Sequence, residues 1–329
     1  MKRRQFISLL GGAAATWPLA ARAQLTKPPT VGVLVSAAPD DWSSRVAAFR
    51  QGLSEAGYTE GSNVALVYRY AEYHYERLPA MALDLVRQNV DVMLASGGDN
   101  SIKAAMAATS TIPIVFITAN DPVTAGYVKS LNRPDGNLTG ITFLASSLEA
   151  KRLEVLHEIA PKAASIAVLT GSANSNTRAE SDRHALEAAA KLLGLSVRVV
   201  RIGGEDELAL AFRDVVARRD DAIHIITDPF FGARARTLAA LAATTGLPAS
   251  SSERDFAAAG GLLSYGASST SAYRDAGAYA GRILKGATPA ELPVQESTKI
   301  ELIINLKTAK TLGLTVPLPL LGRADEIIE

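Results

Sequence analysis

Cysteine is absent from the 329 residues, and only two tryptophans, four methionines and four histidines occur among them. Without cysteine there is no disulfide framework, none of the usual cysteine-bearing zinc sets, and no thiol to take the lipid of a bacterial lipoprotein. A charge imbalance is missing too. The 34 basic and 33 acidic side chains leave no excess of the kind that draws a protein to nucleic acid or an anionic membrane. Catalytic signatures are equally scarce, with no G-x-S-x-G elbow, no phosphate-binding G-x-x-x-x-G-K-[ST], no G-x-G-x-x-G after a strand and no H-E-x-x-H. His74, His157, His184 and His224 show no metal-ligand spacing, so neither a metal nor another cofactor is expected. His224 lies inside an apolar run and reads as a buried, hydrogen-bonded side chain.

The most apolar stretch of the chain stands at the very front. Lys2, Arg3 and Arg4 precede an uncharged stretch from Phe6 to Ala21, shorter than the roughly 20 residues a membrane span needs and weakened by Gly11, Gly12 and Pro18. It ends in Ala21-Arg22-Ala23, a small-x-small cleavage pattern, so residues 1–23 are expected to be a removable export signal. Arg3-Arg4 leaves the twin-arginine route open beside general secretion. Removing its four basic residues would leave a mature chain with a net charge of about −3. With a cleavable signal and no lipid site, the expected location is the periplasm of a two-membrane bacterium.

What the remainder does have is a repeat. Continuous apolar runs at 31–36, 63–69, 90–96, 112–118 and 138–144 are followed by runs at 166–171, 196–202, 221–228, 247–252 and 261–266. Corresponding starts are offset by 135, 133, 131, 135 and 123 residues. Such runs suit strands buried on both faces, and helical periods between them, as in Val46, Phe49, Leu53 and Ala56, suit crossover helices. The expected architecture is α/β, two Rossmann-like (flavodoxin-like) lobes of parallel sheet joined by a hinge of several crossovers. The lobe boundaries are expected at 24–145 plus about 267–290 for the first, and 146–266 plus about 291–329 for the second. An amphipathic helix ending at Gly286, a strand near 299–305 and one short helix supply the final crossings.

Ligands of open parallel sheets bind beyond the carboxyl ends of the strands, so loops of both copies should line one cleft. Candidate ligand-binding residues follow from that placement: Ser36, Trp42, Ser96, Gly97, Gly98, Asn100, Thr118, Asn120, Asp121, Ser172, Asn174, Asn176, Asp228, Phe230, Phe231 and Tyr265. "SGGDNS" at 96–101 joins a strand to a helix start, a natural carboxylate site. "TANDPV" at 118–123 and "TGSANSN" at 170–176 offer short amide and hydroxyl groups, which stabilise turns equally well. In "TDPFF" at 227–231, one of two adjacent rings is expected to face the cleft, and Trp42 to be an exposed loop residue beside it. Tyr265 is placed for the hinge or the pocket.

The stretches "FRQGLSEAGYTEGSNV", "TSTIPIVFITANDPV", "GYVKSLNRPDGNLTGITFL", "KRLEVLHEIAPKAASIAVL", "AGGLLSYG" and "AYAGRILKGATPAELPVQ" resemble the ABC transporter substrate-binding proteins typified by binders of tryptophan and tyrosine. That resemblance implies the periplasmic-binding-protein type I fold and closure around one small, amino acid-like solute. It also implies delivery by a monomeric binder to the transmembrane permease subunits of an importer with a separate ATPase. "SGGDNS" and "GSANSN" depart from the loops usual in that family. Two other classes fit the same residues: a periplasmic sensor signalling to a membrane receptor, and a cleft enzyme using Asp121 and Asp228 from opposite lobes.

Overall fold

The computed structural model describes residues 28–143, 148–171 and 177–329. The expected export signal, residues 1–23, and three candidate residues, Ser172, Asn174 and Asn176, lie outside the described residues.

The first half alternates strand and helix: β1 (Thr30–Val35), α1 (Pro39–Glu55), β2 (Ala65–Tyr70), α2 (Leu78–Arg87) and β3 (Val92–Ser96). It continues through α3 (Asp99–Ala108), β4 (Ile114–Thr118) and β5 (Leu138–Phe143). The second repeats that order: α4 (Glu149–Ile159), β6 (Ser165–Gly171), α5 (Thr177–Leu193), β7 (Ser196–Ile202), α6 (Glu205–Ala217) and β8 (Ala222–Ile225). After it come α7 (Pro229–Ala233), α8 (Ala235–Thr245), β9 (Ala249–Ser251), α9 (Arg254–Ala258) and β10 (Leu263–Ala267). The tail supplies α10 (Ser269–Leu284), β11 (Gln295–Ser297), β12 (Ile300–Asn305), α11 (Leu306–Thr311), α12 (Leu318–Leu321) and β13 (Glu326–Ile328).

Two sheets result. The first has strand order β11-β5-β4-β3-β1-β2, all parallel. The second has order β13-β12-β10-β9-β8-β6-β7, and only the β10–β12 pair is antiparallel. Leaving out the tail strands, both read 2-1-3-4-5 in the numbering of their own half, the flavodoxin-like order, so the sequence repeat is a structural one. Strands β1, β3 and β4 are buried along their whole length, as continuous apolar runs between two helical layers must be.

The chain passes between the sheets three times: after β5, between β10 and α10, and between β11 and β12. Helix α10 packs along α1 at close range because glycines stand at the crossing. A Cβ on Gly277 would run into the Phe49 carbonyl, and one on Gly52 into the Arg274 carbonyl. The last return falls between Ser297 and Ile300, not near residue 290 as expected. Three hydrogen bonds hold that segment on the first lobe: the Val294 amide donates to the Leu131 carbonyl (2.7 Å), the Thr139 hydroxyl to the Leu292 carbonyl (2.6 Å) and the Tyr279 hydroxyl to the Pro293 carbonyl (2.8 Å). The final strands and helices complete the second sheet.

Candidate functional site

A cavity with about 100 Å³ of interior space lies between the lobes at the carboxyl ends of both sheets. From the first lobe it is lined by Trp42 and Arg45 of α1, Gly97 and Gly98 after β3, Ile117 and Ala119 around the end of β4, and Phe143 of β5. Ser269 and Tyr273 of α10 complete that side. Leu148 just before α4, Arg152 of α4, Thr227 and Asp228 after β8, Gly232 of α7, Ser252 and Glu253 after β9, and Ala267 of β10 form the other. This is the crevice that the strand order of each sheet selects.

Trp42 is a correction. It is not an exposed loop residue: Pro39 in the first helical turn, with Asp40 and Asp41 behind it, starts α1 early and makes Trp42 a helical residue only 5% exposed. Its indole N–H donates to the Tyr273 hydroxyl at 2.9 Å, with the rings edge-on at 6.1 Å. Arg45, one turn on, lays its guanidinium 4.3 Å from the centre of the Trp42 ring and bonds Glu253 of the opposite lobe at 2.5 Å. Burial alone would lower the Arg45 pKa, but Glu253, Tyr273 and Asp255 raise it overall, so the group is a fixed cation. Burial pushes the Tyr273 phenol up to about 12, leaving a neutral hydroxyl that both donates and accepts.

The second lobe presents Arg152 from a fully buried polar network. Its Nη1 donates to Glu149 Oε2 at 2.6 Å, its Nε to the Tyr265 carbonyl at 2.6 Å, and its Nη2 to the Thr227 hydroxyl at 3.4 Å. Glu149 also contacts His224 Nε2 at 2.9 Å and accepts from the Thr227 amide at 3.0 Å, while His224 Nδ1 meets the Ser250 hydroxyl at 3.0 Å. Burial would raise the Glu149 pKa, yet Arg152, His224 and the Thr227 amide hold it well below the usual carboxylate range. Burial lowers the pKa of His224, so the ring is neutral and donates from Nε2 while Nδ1 accepts from Ser250. The expectation of a buried, bonded histidine holds, and its service is to orient Glu149 and through it Arg152.

Of the candidate residues, Trp42, Gly97, Gly98 and Asp228 line the cavity. Gly97 and Gly98 take φ of 89° and 117°, and a Cβ on Gly97 would collide with Ser36, whose hydroxyl donates to the Gly97 carbonyl at 2.5 Å. Ser36 and Ser96 therefore form the buried floor under that turn and are not lining residues. Asn100 is exposed on α3. Its neighbour Asp99 instead accepts from the Thr118 hydroxyl (3.3 Å) and the Asn120 amide group (2.5 Å), which binds the loops after β3 and β4 together. Asp121 is exposed and accepts from the Val123 amide (2.9 Å) and the Thr124 hydroxyl (3.0 Å) of its own turn; the Val123 amide is the main reason its pKa falls. It is not a lining residue, whereas Asp228 is, and Asp228 caps α7 through the Phe230 amide at 2.7 Å.

Neither ring of "TDPFF" lines the cavity. Phe231 is 1% exposed in the core of the second lobe, and Phe230 stacks on Arg234. A one-residue step on a short helix sends one ring into its own lobe and the other along the lobe boundary. Tyr265 packs its ring against the same core and offers the site only its backbone carbonyl, to Arg152. The main residues not anticipated are Arg45, Arg152, Glu253 and Tyr273. Arg45 stands three residues from Trp42 on one helix face, and Glu149 and Arg152 share that spacing, the signal that would have found them.

Two flavodoxin-like lobes, three crossovers and an aromatic and charged cavity between facing sheet ends define a two-lobed solute-binding protein of the periplasmic-binding-protein type I fold. The chain belongs to the ABC transporter substrate binding protein family, whose model matches residues 30–328. Its activity is thus ligand capture on behalf of an ABC transporter, with a small molecule and transporter subunits as partners. A tyrosine-binding protein of Clostridioides difficile (strain R20291) is 28% identical over 266 residues, spanning 81% of this chain and 75% of that protein. The crystal structure of an ABC domain in complex with L-Trp from Streptococcus pneumonia superimposes with a TM-score of 0.81 at 24% identity, covering 92% of this chain and 100% of that one. The ligand-free, open structure of a substrate-binding protein with adhesive properties from Clostridium difficile gives a TM-score of 0.65 at 24% identity, covering 91% and 99%.

Proposed function

We propose that the protein captures an amino acid, with an aromatic side chain, between its lobes and delivers it to a membrane permease. The observation that carries this reading is the composition of the cavity. Two cations, Arg45 and Arg152, and two anions, Asp228 and Glu253, are interleaved around the aromatic Trp42, Tyr273 and Phe143. A zwitterion meets both signs there, and an aromatic side chain meets rings. The relative named as a tyrosine-binding protein and the similar structure solved in complex with L-Trp support that choice. No catalytic step is assigned, and the protein acts as a monomer in the periplasm after loss of residues 1–23. No helix among the described residues is long and apolar enough to cross a membrane. The moving units are residues 30–143 with 269–297, and 148–267 with 300–329.

The test is a thermal-shift screen of the chain, unfolded and refolded to release co-purified solute, against amino acids, their deaminated acids and their amides. A ligand at 100 times its dissociation constant adds about 2.7 kcal/mol, which is roughly 4 °C for a chain of this size. The expected outcome is a shift with aromatic amino acids and none with the deaminated acids. A shift with the acids alone would overturn the zwitterion reading.

A further inference from the structure

The lobes also meet away from the cavity. Ala233, at the end of α7 in the second lobe, is 5% exposed and packs into the core of the first. The next residue, Arg234, is 7% exposed and lies between one ring from each lobe, its guanidinium carbon 3.9 Å from the centre of Tyr73 and 4.1 Å from that of Phe230. Within its own lobe, Arg234 donates to Glu205 at 3.1 Å and to the Phe230 carbonyl at 3.2 Å. Tyr73 is fixed from behind: its amide donates to the Ser36 carbonyl at 2.7 Å and its hydroxyl to Asp41 at 2.7 Å. Glu72 and Tyr73 both take left-handed backbone angles, φ 52° and 67°, which side-chain-bearing residues hold only where the surroundings impose them. None of Tyr73, Phe230 and Arg234 lines the cavity.

We propose that Tyr73 and Arg234 form a clasp that sets the closed fraction of this protein, and through it ligand affinity, without touching the ligand. The inference rests on the reading that the lobes open and close about the crossovers. When they part, Arg234 keeps Glu205 and Phe230, which travel with it, and loses Tyr73 and the burial that Ala233 provides. Only this difference biases closure, because a contact present in both states shifts nothing. Arginine suits the position: its planar, weakly hydrated guanidinium stacks on two faces at once, which an ammonium cannot do. A binder whose competent state is partly populated beforehand gains apparent affinity in proportion to that fraction.

The absence of cysteine makes the test direct. Leu83→Cys on the first lobe and Leu210→Cys on the second, both at exposed positions, carry spin labels whose separation is read by pulsed electron resonance on the full chain, refolded to strip bound solute. Tyr73→Leu and Arg234→Leu should each move the distance distribution toward the open form and lower the closed-to-open ratio roughly three- to tenfold. Combining them should add little to either alone. Arg234→Lys should behave like Arg234→Leu, whereas Tyr73→Phe, which keeps the ring, should retain the original distribution. Unchanged distances in Tyr73→Leu, which removes the ring but keeps an apolar side chain against the first lobe's core, would overturn the clasp. Equal loss in Tyr73→Phe would overturn the stacking and transfer the effect to Asp41. The measurement needs no ligand, so a silent solute screen leaves its outcome readable.

Discussion

Arg45 and Glu253 stand 208 residues apart in the chain and meet at 2.5 Å across the cleft, one from each lobe. Arg45 is 4% and Glu253 18% exposed, so the pair is largely withdrawn from water and borders the cavity on both sides. It exists only while the lobes are together, which makes it a contact specific to the closed state. Glu253→Gln should weaken solute binding by about 1.5–3 kcal/mol, the scale of a hydrogen bond to a charged group. Calorimetry should show roughly a 10- to 150-fold rise in Kd. Arg45→Gln added to Glu253→Gln should cost far less than the sum, because each substitution removes the same bond. Full additivity would mean the two side chains act on the ligand separately.

Trp42 reports on the same site. Apart from Trp17 near the start of the chain it is the only tryptophan, and its surroundings are Arg45, Tyr273 and the cavity. Ligand binding should therefore change the fluorescence of the intact chain, and Trp42→Phe should abolish that change. The substitution also removes the indole N–H that donates to Tyr273, at a cost of about 1 kcal/mol in affinity or stability. A binding signal that survives in Trp42→Phe would place the fluorescence response on Trp17 and take Trp42 away from the ligand.

The Glu149 and His224 network predicts acid lability. Burial lowers the pKa of His224 from 6.5, and Arg152, His224 and the Thr227 amide overcome burial to lower that of Glu149 from 4.5. Both folded-state values lie below the unfolded ones, so the unfolded chain binds more protons in each window and stability rises with pH there. The melting temperature should be flat between about pH 7 and 9, begin to fall as pH drops below 6.5, and fall again below 4.5. His224→Gln should erase the upper step and keep the lower one, whatever it does to the absolute melting temperature. An upper step that persists in the variant would assign it to another group.

Strands β1, β3 and β4 were legible in the sequence because they are buried on both faces, which writes each of them as an unbroken apolar run. The duplication followed from their offsets, and the paired 2-1-3-4-5 sheets bear it out. β11 and β13 were not legible: each has three residues at a sheet edge, and "QES" carries no apolar pattern at all. Among the site residues, the glycines after β3 were readable because a tight turn needs them. The short polar side chains of "TANDPV" were misplaced because Thr118, Asn120 and Asp121 satisfy neighbouring loop atoms, a choice that depends on backbone geometry and not on residue type. Arg45 with Glu253 and Glu149 with His224 are contacts between distant segments, so only the assembled lobes disclose them.

Phe231 separates a core role from a binding role. Placed in the cleft, the ring would lose ligand affinity on truncation; placed in the core of the second lobe at 1% exposure, it should lose stability instead. Phe231→Ala should lower unfolding free energy by about 3–5 kcal/mol, combining lost transfer energy with the cavity left behind. Chemical denaturation should show an earlier midpoint with little change in slope. Affinity measured well below the unfolding transition should stay within about threefold, because Phe231 does not line the cavity and its neighbour Phe230 still stacks on Arg234. Phe231→Leu, which refills most of the volume, should recover much of the loss. A variant of near-normal stability that binds ten times more weakly would return the ring to the ligand site, and would require α7 to turn relative to β8 when solute is bound.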